Sequence, residues 1–403
     1  MFGTENNDIT CSCSNISNAA YKNKYCIFTK ESNEKLAIYN EQNFEENKCE
    51  SEESFESTTK APSDVVNDDY IFINNKGDLV SSTSTTTKTV NIVIGFKYGD
   101  SSTDFTAIEA PEDGEGVYYL NKYGGGSQVI KVSSDGTYSI VSTDANQAYL
   151  EGKDNTNVII CTGINICEIV AASDIQGKFY VNSGDPSKII SYGTALNNDI
   201  DITIYPNFIF EMSNNNGLIE CFSGTCSVRP VIPRNVLSDT AGIYAAEGYY
   251  LGGKYDEVEG NKELVNIIIL CSSDYGCSEA YNLDKNKPSS NSDVYFLNAG
   301  ASKTEEPLIK YTYSDTLDTI SGEDTNIYYL NGGDINNKPL IYCFNATLCE
   351  EVEVNESYYY VSFDHNLIHY DTDNTWKNDH TITANPGYFL NGGVDKYKHP
   401  LRK

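Results

Sequence analysis

From about residue 63 to its end the chain is a succession of short apolar runs, separated by turns rich in Gly, Asn, Asp, Ser and Thr. Such runs are too short for helices, and their flanking turn residues mark them as β-strands. Several share a four-residue signature. Tyr118-Tyr119-Leu120-Asn121 returns as Ala148-Tyr149-Leu150-Glu151, Phe179-Tyr180-Val181-Asn182 and Ile209-Phe210-Glu211-Met212. It continues as Tyr249-Tyr250-Leu251-Gly252, Tyr295-Phe296-Leu297-Asn298, Tyr328-Tyr329-Leu330-Asn331, Tyr359-Tyr360-Val361-Ser362 and Tyr388-Phe389-Leu390-Asn391. The period is about thirty residues, and the longer intervals after Phe210 and Tyr250 read as loop insertions. Ile71-Phe72-Ile73-Asn74 reads as a degenerate earlier copy.

Within a copy, the aromatic run leads into an Asn-Gly-Gly turn, then a second apolar run such as Pro339-Leu340-Ile341-Tyr342-Cys343, then a polar turn and a third run. Three short strands fit in thirty residues at roughly 3.3 Å per residue. The predicted fold is therefore all-β: a tandem array of three-stranded units, stacked as a β-solenoid-like or extended hairpin array, because one such unit buries too little apolar surface to stand alone. Neighbouring strand residues face opposite sides. The second position, aromatic in every copy, is assigned to the core. The more variable first position (Tyr118, Phe179, Tyr249, Tyr295, Tyr328, Tyr359 and Tyr388 where it is aromatic) is expected to be exposed and to contact a partner.

The cysteines follow the same period. Cys161 and Cys167, Cys221 and Cys226, Cys271 and Cys277, and Cys343 and Cys349 each flank the turn after a second run. Elsewhere the equivalent places hold Val132 and Tyr138, Tyr192 and Asn198, Tyr311 and Leu317, and Tyr370 and Trp376. Two residues five or six apart across a short turn can face each other on a hairpin, where either a disulfide or an apolar pair serves. The four pairs are therefore expected to be local disulfides, with no metal role: zinc sites need further ligands, and the four histidines lie in the last forty residues.

Residues 1–62 stand apart as an acidic region with Cys11, Cys13, Cys26 and Cys49, whose connectivity the spacing leaves open. Residues 63–110 read as the degenerate copy plus a Ser/Thr-rich linker, and 111–403 as the array, with its last copy truncated. That truncation and the lack of a basic, apolar leader are expected of a fragment of a secreted protein.

Composition narrows the function. Twelve cysteines and candidate glycosylation sequons at Asn15, Asn345 and Asn355 point to an oxidising, extracellular setting. A net charge of −30 disfavours nucleic acid, and no apolar run is long enough to span a membrane as a helix. No nucleophile motif, phosphate loop or paired acid–base constellation is present, so the chain reads as no enzyme, without a cofactor or a resident catalytic metal. The cluster of Asp364, His365, His369, Asp371 and Asp373 lacks the pattern of an EF-hand loop, and Asn/Asp-rich turns such as 334–337 offer at most a weak structural Ca²⁺ site.

The unit Ile327-Tyr328-Tyr329-Leu330-Asn331-Gly332-Gly333, followed by Pro339-Leu340-Ile341-Tyr342-Cys343 and Cys349, resembles the cysteine-containing repeats of scaffoldins from the cellulosomes of anaerobic gut fungi. The likeness covers roughly residues 111–403. It implies a non-catalytic secreted scaffold that docks dockerin-bearing carbohydrate-active enzymes. An array binding carbohydrate or cell wall is the alternative, against which the single Trp376 argues mildly.

Overall fold

The structure, a computed structural model, describes residues 10–11, 19–30, 33–38, 65–83, 91–99, 105–112, 116–185, 189–194, 204–210, 216–232, 245–258, 261–272, 275–280, 293–300, 305–322, 326–333, 337–362, 366–370, 375–379, 389–393, 396–398 and 401–402. The described residues are almost entirely β, as the short-run pattern predicts, with one short 3-10 turn at Ala19–Tyr21. They fall into two compact bodies. The first holds Met1–Ile175, Ser183–Asp185 and Phe222–Ser227, and the second holds Gln176–Asn182, Pro186–Cys221 and Val228–Lys403.

The expected three-stranded antiparallel unit recurs along the chain. Its strands are Tyr70–Asn74, Ile92–Tyr98 and Phe105–Ala107 in repeat A. They are Val117–Asn121, Gln128–Val132 and Tyr138–Ile140 in repeat B, and Gln147–Glu151, Asn157–Gly163 and Ile166–Ala171 in repeat C. Repeat D uses Phe179–Val181, Leu218–Phe222 and Thr225–Arg229, and repeat E uses Gly248–Val258, Asn261–Ser272 and Gly276–Glu279. Repeats F and G follow with Val294–Leu297, Leu308–Tyr311 and Leu317–Ile320, then Ile327–Leu330, Leu340–Asn345 and Leu348–Val352. Repeat H has Tyr360–Val361, Leu367–Tyr370 and Trp376–Asp379, and repeat I pairs Phe389–Leu390 with Leu401–Arg402.

Two copies differ from the sequence reading. The region read as a degenerate copy and linker contains a complete repeat, whose frame is Tyr70-Ile71-Phe72-Ile73: Tyr70 pairs in parallel with Asn121, the place a first-position residue takes. Conversely, Ile209-Phe210-Glu211-Met212 is not a repeat. Strand Ile204–Phe210 pairs with Ile189–Thr194 in a separate two-stranded hairpin, and Glu211 and Met212 lie outside the described residues. The hairpin is inserted between the first and second strands of repeat D, so the second strand that follows Tyr180 carries Cys221, not Tyr192. Tyr192 and Asn198 are therefore not an equivalent pair. A chance aromatic at the expected spacing, inside a β-forming insertion, carries the same local signal as a true copy.

One backbone rule joins successive repeats inside each body. The first-position residue forms a parallel bridge to the fourth position of the next repeat: Tyr118 to Glu151 in the first body, and Phe179 to Gly252, Tyr249 to Asn298, Tyr295 to Asn331, Tyr328 to Ser362 and Tyr359 to Asn391 in the second. The fifth-position N–H donates to the same first-position carbonyl, as in Gly332 to Tyr295 at 2.7 Å and Gly152 to Tyr118 at 2.9 Å.

Side chains lock the same step. Each first-position ring packs on the next second-position ring, with centroids 4.7–5.0 Å apart, in Tyr70–Tyr119, Tyr118–Tyr149, Phe179–Tyr250, Tyr249–Phe296, Tyr295–Tyr329, Tyr328–Tyr360 and Tyr359–Phe389. Tilted and edge-to-face contacts of this kind suit the ring quadrupoles and add about 1 kcal/mol beyond area burial. Each meander is thus one strand layer thick and apolar on both faces. Its first and third positions meet the following repeat, while its second meets the preceding one: Tyr118 and Leu120 share a core with Tyr149, Ile159 and Cys161.

The fourth position closes the turn. Asn331 is fully buried; its Nδ2 donates to the Lys338 carbonyl at 2.7 Å and its Oδ1 accepts from the Gly333 N–H at 2.9 Å. Asn298 repeats the pattern with the Glu306 carbonyl and the Gly300 N–H. Amide groups suit this buried place because they donate and accept without charge. The glycines that follow leave room for rings: a Cβ on Gly332 would lie 2.5 Å from Phe296, and one on Gly333 would lie 2.7 Å from Tyr249.

At the start of the first body, hairpin Tyr25–Lys30 with Asn33–Ile38 lays Tyr25 and Leu36 against Ile71, Ile73, Ile94 and Phe96 of repeat A. This part of residues 1–62 is joined to the array by a shared core, which covers the preceding face of repeat A. Cys11 is bonded to Cys26, resolving part of the open connectivity; Cys13 and Cys49 lie outside the described residues.

Gly332→Val should lower stability by about 1–3 kcal/mol, the usual cost of forcing atoms into a packed site. Chemical denaturation reads this directly, and an unchanged midpoint would contradict the close ring approach.

Candidate functional site

The local disulfides stand where the spacing predicts. Cys161 faces Cys167, Cys271 faces Cys277 and Cys343 faces Cys349 across antiparallel strands, with Cα atoms 4.0, 4.1 and 4.0 Å apart. Cys221 and Cys226 are each disulfide-bonded. In repeats without cysteines, Val132 faces Tyr138, Tyr311 faces Leu317 and Tyr370 faces Trp376 in the same register. Repeat A places Tyr98 opposite Phe105, with rings 4.9 Å apart. The exchange of covalent for apolar pairs is therefore a property of one cross-strand position. Closing so short a loop stabilises by about 2 kcal/mol on the chain-entropy account, comparable to burying a bulky pair.

The predicted partner-contact residues are not exposed. Tyr118, Phe179, Tyr295 and Tyr328 are 7, 7, 2 and 5 % accessible, and Tyr249 and Tyr359 are partly buried against Phe296 and Phe389. Tyr388 lies outside the described residues. Strand alternation correctly separates the first and second positions onto opposite faces, but both faces are covered by neighbouring repeats. Tyr118 is further tied down in the first body: its hydroxyl donates to Asp185 Oδ1 at 3.1 Å and accepts from the Asp185 N–H at 2.8 Å. Lys131 Nζ donates to the same carboxylate at 2.6 Å and the Gly116 N–H at 3.1 Å. Burial alone would raise the Asp185 pKa, but these donors, Lys131 foremost, outweigh it and hold the carboxyl below its usual range.

The signal that sequence reading passed over lies in the turns between second and third strands. Seven of the twelve large apolar side chains left exposed among the described residues sit in these turns or on the strand ends that flank them. In the first body these are Ile164 and Ile166 in the Cys161–Cys167 turn, and Phe222, which follows Cys221. In the second body they are Tyr275 between Cys271 and Cys277, Tyr313 between Tyr311 and Leu317, and Phe344 and Leu348 inside the Cys343–Cys349 turn. Tyr275 is 87 % accessible. The inconstant identity and place of these residues within the turn hid them from a motif search.

Parallel stacking fixes where these turns lie. Because first strands of neighbouring repeats run parallel and second strands return antiparallel, each turn from second to third strand falls at the same end of its meander, and each Asn-Gly-Gly turn at the other. The turns are also internally bonded. Asn345 Oδ1 accepts from the N–H groups of Thr347 and Leu348, both at 2.9 Å, and Tyr311 donates its hydroxyl to Asp315 at 2.8 Å.

Of the glycosylation candidates, Asn345 is exposed in the Cys343–Cys349 turn, Asn355 is exposed in a turn where it accepts from the Ser357 N–H at 2.8 Å, and Asn15 lies outside the described residues. Most of the histidine–aspartate cluster also lies outside them. Its described member His369 stacks on Tyr359 at 5.4 Å. Among the described residues no group of three or more His, Cys, Asp or Glu side chains could hold a metal ion. No described helix is long and apolar enough to cross a membrane.

No protein-family model matches the chain, and no curated protein matches it in sequence. The disulfides indicate folding in an oxidising environment.

Two measurements follow from this geometry. Tyr295→Ala should cost about 3 kcal/mol or more of stability, as expected of a core ring; a loss under about 0.5 kcal/mol would restore Tyr295 to the surface. Because the folded-state pKa of Asp185 is depressed, its contribution is present above the unfolded carboxylate pKa of about 3.9 and disappears as pH falls through the lower folded value. Thermal melts of Asp185→Asn should show a smaller loss of stability on acidification than the native chain; parallel curves would contradict the clamp.

Proposed function

We propose that the chain is a secreted, non-catalytic scaffold whose repeats dock dockerin-bearing carbohydrate-active enzymes, as the resemblance to fungal cellulosomal scaffoldins implies. The observation that carries this reading is the repetition itself: one meander, held by the same ring contact and the same backbone bridge, recurs along each body without a shared reactive side chain. Repetition of a binding unit supplies multivalency, since each further site raises the effective concentration for a linked partner. The acidic surface, at net −30, favours partners with a basic face. Extracellular location and glycosylation at Asn345 and Asn355 belong to the same proposal.

A second reading, a carbohydrate-binding array, draws on the exposed rings of Tyr275 and Tyr313, since flat aromatic faces stack on sugars. Isothermal titration of the full chain against a recombinant fungal dockerin, and separately against cello- and xylo-oligosaccharides, divides the two. Binding to the dockerin alone is expected. Binding to the sugars with none to the dockerin would reverse the order.

A further inference from the structure

We propose that the turns between second and third strands are the docking surface of the array, and that the occupant is a small folded protein module carrying an apolar pocket within a basic rim. The proposal rests on the scaffold reading and names the part of each repeat that would do the work. In the second body, three consecutive repeats present Tyr275, Tyr313, and Phe344 with Leu348, all in the equivalent turn or on the strand ends beside it, and all at the same end of their meanders. Single exposed apolar residues need no explanation on a protein surface. Their concentration at one structurally equivalent turn of successive repeats does, because most apolar residues of the strands beside them are covered by neighbours, with Leu270 an exception.

Three physical features suit these turns to binding. Each is closed at its base by a disulfide or an apolar cross-strand pair, and in the fully described turns after Tyr311 and Cys343 an incoming partner orders little that is not already ordered. Internal hydrogen bonds hold two of them: Thr312 Oγ1 lies 2.6 Å from Thr316 Oγ1, and Asn345 caps its own turn. Finally, exposed carboxylates lie near two of the apolar tips in sequence, with Asp315 and Asp318 after Tyr313 and Glu350 two residues after Leu348. An apolar tip in an acidic surround fits a greasy pocket with basic edges, in which the charges steer encounter and the buried tip supplies most of the affinity. A membrane or nucleic acid surface is disfavoured by the same negative charge.

The test uses the full oxidised chain and a recombinant fungal dockerin as the probe. The variant Tyr275→Ser, Tyr313→Ser, Phe344→Ser, Leu348→Ser removes the tips of three turns; Val66→Ser, an exposed apolar site outside these turns, is the control. Circular dichroism melts establish that both remain folded. Expected results are a loss of dockerin affinity of at least about tenfold for the four-site variant, as for truncated contact residues, unchanged affinity for the control, and weaker binding by the native chain as salt is raised. If the native chain binds the dockerin and the four-site variant binds it equally, this surface is wrong while the scaffold reading stands. If salt leaves the native affinity unchanged, the basic rim is wrong. If the native chain binds no dockerin, both the reading and the surface fall.

Discussion

The structure depends on the contact between a first-position ring and the second-position ring of the next repeat. A meander of three short strands is a single layer, and its alternating residues make both faces apolar. It has no inside of its own. Stacking supplies one, and the ring contact at 4.7–5.0 Å, repeated with the parallel bridge beside it, sets the step between layers. The rest of the unit serves this step. The glycines after the fourth position let the rings pass close to backbone, and the buried asparagine satisfies the polar groups where the chain turns.

Positions that do not touch the step are free to vary, and their variation is informative. The cross-strand place at the base of the turn accepts Cys–Cys, Val–Tyr, Tyr–Leu, Tyr–Trp or Tyr–Phe, because it needs only something that keeps two strand ends together. The connection between first and second strands accepts a whole hairpin in repeat D. Glu151 shows the limit of such tolerance. It occupies the fourth position where asparagine is usual, is 5 % accessible, and burial raises its carboxyl above the ordinary range despite a hydrogen bond from Asn157. Burial there disfavours the charged form of a carboxyl, which the uncharged amide of asparagine avoids.

The division of labour between core and surface bears on function. Aromatic residues at the first position look available for recognition in a linear reading, yet they are spent on cohesion between repeats. On the proposed reading, recognition falls to the turns, whose bases are held by a cross-strand pair. In a scaffold, such separation would let individual repeats differ in partner preference while sharing one architecture.

By itself, the sequence determined the all-β class, the period, the three strands per unit and the local cysteine pairs. Each is encoded within about thirty residues: alternation and turn chemistry specify strands, and two residues five or six apart across a turn can meet only if a hairpin forms. It did not determine the frame of Tyr70-Ile71-Phe72-Ile73, the exclusion of Phe210 from the array, or the burial of Tyr295 and Tyr328. Those depend on which strand lies beside which. Alternation assigns two residues to opposite faces but leaves open whether water or another layer covers each face, and only the stacking of whole repeats decides that.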